Sequence, residues 1–139
     1  MHALKEIKRA LVPGGHLIDL RPVLDQWPVE VAWKDGFRET GRLKDLPSGL
    51  ADDQAANLAM EEAARRKWFL LEQAERFSLF YSWDRPSEME AFIREEWNSF
   101  AQLDDQAMRR TKSAWAVAGG DAYVRVRASM MINCWRKAS

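Results

Sequence analysis

Residues 3–22 read ALKEIKRALVPGGHLIDLRP, an amphipathic turn-former, a hard stop and an apolar run in direct succession. Leu4, Ile7 and Leu11 recur at helical spacing and predict one apolar face. Pro13-Gly14-Gly15 ends that helix, because proline cannot extend it and glycine takes the backbone conformations that a sharp exit demands. Leu17-Ile18-Asp19-Leu20 follows as a strand, and Arg21-Pro22 turns the chain away. A helix feeding a strand through so short a turn needs further strands to pair with, and the rest of the sequence supplies them.

Val29, Val31 and Trp33 alternate with Glu30, Ala32 and Lys34 and predict a strand. Asp35-Gly36 is a two-residue turn signal, and Phe37–Leu43 returns as the second arm of a hairpin with Arg38, Thr40 and Arg42 on its wet face. Asp45–Gly49 reads as a loop. Asp52 or Asp53 caps a helix running to about Glu72, with Ala56, Ala59, Met60, Ala63 and Leu70 on its apolar face. Phe77–Trp83 alternates as a strand that Pro86 ends. Ser87 and Glu90 have capping-box spacing before a helix that carries Met89, Phe92, Ile93 and Trp97 inward. A further helix spans Asp104–Val117 and stops at Gly119-Gly120. Val124, Val126, Ala128, Met130, Ile132 and Cys134 then form one apolar face of a final strand, Tyr123–Trp135.

The chain has 139 residues, which is the size of one domain and enough for one core, so a single domain over 1–139 is expected. Lys plus Arg equals Asp plus Glu at 21 each, so no net positive field exists to hold a polyanion, which argues against nucleic acid. No apolar run approaches the roughly 20 residues of a membrane-spanning helix, and no signal peptide precedes the first helix. A soluble, cytoplasmic protein without membrane partners is expected. The seven Trp residues should occupy core margins or interfaces, since each carries an N–H that needs a partner. Cys134 is the single cysteine, with no Cys or His spaced near it in sequence as metal ligands, and it reads as a small apolar core residue. No metal site is expected, and no Ser, His or carboxylate constellation identifies a catalytic residue.

The helix, Pro-Gly-Gly and apolar strand of Ala3–Leu20 resemble the segment before and into the fifth strand of class I methyltransferases that use S-adenosylmethionine. The later elements are similar in order to the carboxyl-terminal half of that domain. Leu17–Leu20 would be the fifth strand, Asp52–Glu72 the following helix, Phe77–Trp83 the sixth strand and Tyr123–Trp135 the antiparallel seventh. The hairpin at Val29–Leu43 and the helices between Ser87 and Val117 would be local additions. The resemblance implies an α/β or α+β fold: a partial Rossmann-like architecture with a small, mostly antiparallel sheet packed by helices, plus an extra β-hairpin.

Family members hold the cofactor with a glycine-rich loop and an acid that both lie in the half preceding this segment. No G-x-G spacing occurs in the chain, so no cofactor-binding residue transfers. The resemblance therefore implies a methyltransferase-like protein that binds no S-adenosylmethionine alone and acts through self-association or a partner. A homodimer or a complementary polypeptide would cover the fifth strand's outer edge, or the hairpin would occupy it. Two alternatives stand beside it. One is an active methyltransferase whose cofactor-binding half is upstream or on another chain; the other is an unrelated small α+β module that binds a ligand or a protein. Asp19 and Arg21, at the carboxyl end of the presumed fifth strand, would face the substrate side of an intact domain. Arg125 and Arg127 read as a solvated outer face, with an anion grip as the sharper alternative.

Overall fold

The computed structural model describes residues 1–138 and has an α+β fold of four helices, a mostly antiparallel five-stranded sheet and a small two-stranded sheet. The elements are α1 (His2–Ala10), β1 (His16–Pro22), β2 (Pro28–Trp33), β3 (Gly36–Arg42), β4 (Lys44–Asp45), α2 (Pro47–Arg65), β5 (Phe69–Trp83), α3 (Pro86–Glu96), β6 (Ala101–Gln102), α4 (Asp105–Val117) and β7 (Tyr123–Lys137). The large sheet runs β1-β7-β2-β3, and β5 also pairs with β7. Antiparallel registers set Ile18 opposite Cys134, Val31 opposite Val124 and Ala32 opposite Phe37. The hairpin therefore joins the sheet through β2 on β7. Among the described residues β1 pairs with β7 alone, so the hairpin does not cover the outer edge of β1.

The chain forms two compact units, one of Met1–Val23, Ala51–Phe77 and the stretch from Met130, the other of Leu24–Leu50 and Ser78–Ser129. The first gathers Leu4, Met60, Ala63, Phe69 and Trp135 into a core, with Ile7, Leu11, Leu17 and Trp68 packed around it. Its helix α1 stops as the Pro-Gly-Gly signal predicts. Gly14 takes φ +79, and the turn is clipped to the end of β7 by Lys137 N–H donating to the Gly15 carbonyl at 2.8 Å. The indole N–H of Trp135 is buried and finds no acceptor among the described residues.

The second unit buries Val29, Val31, Met89, Ile93, Val124, Val126 and Ala128. Trp97 is its aromatic hub, with ring centroids 4.9 Å from Tyr81, 5.3 Å from Phe92 and 5.6 Å from Trp27, all edge-on. Such T-shaped pairs suit the aromatic quadrupole and add to plain area burial. Asp104 caps α4 by accepting from Ala107 N–H at 2.7 Å.

Four local expectations are overturned. The second helix starts at Pro47, because proline at the first helical position fits the fixed φ and lacks only an N–H that would be unpaired anyway. Gly49 belongs to that first turn, where a Cβ would lie 2.5 Å from the Cβ of Phe100. The same helix ends at Arg65 and not near Glu72. Lys67 sits at φ +60, Trp68 N–H donates to the Ala63 carbonyl and Lys67 N–H to the Ala64 carbonyl, a left-handed helix stop made without glycine. The chain from Phe69 is thereby released to extend a strand of fifteen residues, eight residues before the expected start at Phe77. Third, α3 is entered through Pro86 with Arg85 as N-cap and no side-chain cap, so the Ser87–Glu90 capping box does not form.

The fourth concerns Thr40, which is buried and not on a wet face. Its hydroxyl lies 2.7 Å from that of Thr111, and Thr111 has the Ala107 carbonyl as an acceptor at 2.8 Å. Thr40 also has the Val29 carbonyl as an acceptor at 3.3 Å, so whichever hydroxyl donates to the other, both buried groups are satisfied.

The helix end can be tested directly. A lysine in the left-handed region costs on the order of 1 kcal/mol relative to glycine, so Lys67→Gly should raise the unfolding free energy by about that amount in urea denaturation. A loss of about 1 kcal/mol would instead indicate that residue 67 lies inside a continuing helix.

Candidate functional site

Asp19 and Arg21 lie two apart on β1 and point to the same side of the strand, so period two alone brings them together. Arg21 Nε donates to Asp19 Oδ1 at 2.7 Å and its Nη2 to Oδ2 at 3.0 Å, a fork-on-fork geometry. A third bond, Nη1 to Asn57 Oδ1 at 3.1 Å, ties the pair to α2. Both carboxylate oxygens are engaged by the neighbouring guanidinium. What this arrangement offers chemically is a rigid, neutral, bidentate clamp that locks β1 to the helix beside it.

Arg125 and Arg127 do not form a solvated face. They converge on Glu30, which is buried to 2% exposure. Arg125 Nε donates to Glu30 Oε1 at 2.7 Å and Arg127 Nε to Oε2 at 3.0 Å. Both guanidinium groups also stack against Phe37 and Phe80, with centroid distances of 4.4–5.0 Å. A buried carboxylate would ordinarily be costly, and two arginines with aromatic faces beneath them supply the compensation. The sequence signal was available only in hindsight: β2 is buried on both faces, and an acid opposite Arg125 in the β2–β7 register has one evident partner.

A third cluster joins residues that lie far apart in sequence. His16 of β1, Glu72 of β5 and Cys134 of β7 hold one donor atom each within 4.8 Å of one another. His16 Nε2 is 3.4 Å from Glu72 Oε2, while Glu72 Oε1 accepts from Arg136 Nε at 2.5 Å. His16 and Glu72 are exposed and Cys134 is half-buried. Sequence spacing could not associate them, because the association depends on β1 and β5 both being neighbours of β7.

Elsewhere Glu62 of α2 accepts from Arg65 and from Arg66 just past the helix end, and these hydrogen bonds hold its carboxyl down to about 2. Glu62, Arg65 and Arg66 together form a charged surface at the end of the helix. Shallow clefts occur beside α3 and β6, lined by Glu90, Arg94 and Asn98, and beside β3 and α4, lined by Arg38, Arg109 and Ser113. No helix among the described residues is long and apolar enough to cross a membrane.

Glu30→Gln keeps the volume of the side chain and removes its charge, leaving two arginines facing each other. It should destabilise the protein by roughly 3 kcal/mol, as expected when one partner of a buried ionic cluster is lost. A change within about 0.5 kcal/mol in chemical denaturation would place Glu30 on a solvated surface instead.

No family model, curated protein or solved structure matches this chain.

Proposed function

We propose that this chain is a methyltransferase-like half-domain, corresponding to the carboxyl-terminal half of a class I S-adenosylmethionine-dependent methyltransferase, that does not hold the cofactor by itself and acts by associating with a second copy or a complementary polypeptide. The observation that carries the reading is the neighbour order β1-β7-β5, with β7 antiparallel to β1. In the family the fifth, seventh and sixth strands lie in that order, with the seventh antiparallel. The placement of α1 before the Pro-Gly-Gly turn and of α2 between β1 and β5 agrees with the same assignment.

The residues present do not fit S-adenosylmethionine. Backbone must approach the cofactor closely at a glycine turn that leaves a strand and opens a helix. The two glycines with positive φ, Gly14 and Gly119, both precede strands. No catalytic step is therefore assigned to this chain. Association is supported by β1, which pairs with β7 on one side and carries Ile18 and Leu20 at 55% exposure each. Strand edges with apolar side chains recruit other chains. In a completed domain Asp19 and Arg21, at the carboxyl end of β1, would line the substrate side.

Calorimetric titration with S-adenosylmethionine and S-adenosylhomocysteine tests the reading. The expected result is no saturable binding at millimolar ligand. Saturable one-to-one binding by the isolated chain would overturn it and place a complete cofactor site within these residues.

A further inference from the structure

We propose that His16, Glu72 and Cys134 form a binding site for a thiophilic divalent metal ion, with zinc the expected occupant. The three side chains come from three strands of one sheet, so their Cα positions are fixed by backbone pairing and not by mobile loops. They supply an imidazole nitrogen, a carboxylate oxygen and a thiolate sulfur, which are the donor types zinc takes. Carboxylate and thiolate are both anionic donors, set against the single positive charge of Arg136 on Glu72 Oε1. Thiolate softness selects zinc over magnesium or calcium, which prefer oxygen ligands.

The distances agree with this use. Two nitrogen or oxygen ligands about 2.1 Å from a tetrahedral zinc lie about 3.4 Å apart. His16 Nε2 and Glu72 Oε2 stand at 3.4 Å already, and the whole donor set falls within 4.8 Å, so small side-chain rotations close it. Glu72 is also divided in the way a metal carboxylate usually is. Oε1 is held by Arg136 at 2.5 Å, and Oε2 faces His16. An outer partner on the distal oxygen orients the carboxylate and leaves the proximal one for the ion.

Three protein ligands leave a fourth position for water. Binding converts the Cys134 thiol to a thiolate and releases its proton to solvent, with no change of oxidation state. The site goes beyond the association reading and does not depend on it, since it uses only residues of one copy.

Cobalt(II) titration of the reduced, oxygen-free protein is the test, because a cobalt–thiolate bond gives a charge-transfer absorption that a carboxylate or imidazole does not. The expected result is a band that saturates at one equivalent, is displaced by zinc and disappears in Cys134→Ser. His16→Ala and Glu72→Gln, each checked for a native circular dichroism spectrum, should weaken cobalt binding by at least about tenfold. A folded protein with no saturable band overturns the proposal. So does a band whose affinity is unchanged in both His16→Ala and Glu72→Gln, which would mark a single thiolate acting alone.

Discussion

The backbone hydrogen bonds of β7 are the constraint on which the rest of the sheet depends. This strand pairs with β1 over Met130–Arg136 and with β2 over Val126–Tyr123, and it also neighbours β5. Each pairing fixes a register, and each register decides which side chains share a face. A shift of β1 by one residue would turn Asp19 and Arg21 to the opposite side and separate His16 from Cys134. The two cores, the Asp19–Arg21 clamp and the mixed donor cluster are all consequences of how one strand is read.

β7 also shows why uniform apolar alternation does not mean uniform burial. Val124, Val126 and Ala128 are fully buried, but Met130, Ile132 and Cys134 continue the same face and are only half-buried, while Trp135 of the other face is buried. The alternation was legible from the sequence. Which half of it would be covered depends on helices placed elsewhere in the chain. The half-open face around Ile18, Leu20 and Cys134 is the one that the proposed association and the proposed metal site both use.

The elements that the sequence revealed best were those with strong local chemistry: the Pro-Gly-Gly stop and the Asp35-Gly36 hairpin. What it concealed depended on partners distant in the chain. The end of α2 was hidden because Lys67 takes a conformation that usually advertises itself with glycine. Thr40, Arg125 and Arg127 looked solvent-facing because alternation assigns a face but not what covers it, and their partners Thr111 and Glu30 lie at least 71 positions away. Asp19 and Arg21 were visible as a pair from spacing alone. His16, Glu72 and Cys134 were invisible as a group until the strand order was known.

The strand order is the claim from which the functional reading grows, and nuclear Overhauser contacts across the strands test it most directly. The structure predicts close Hα–Hα contacts at alternate opposed pairs in the antiparallel register that joins β1 to Met130–Arg136, together with contacts between β5 and β7. Contacts from β1 to the β2–β3 hairpin in their place, or a register displaced by one residue, would contradict the arrangement and with it the proposed relation to a methyltransferase half-domain.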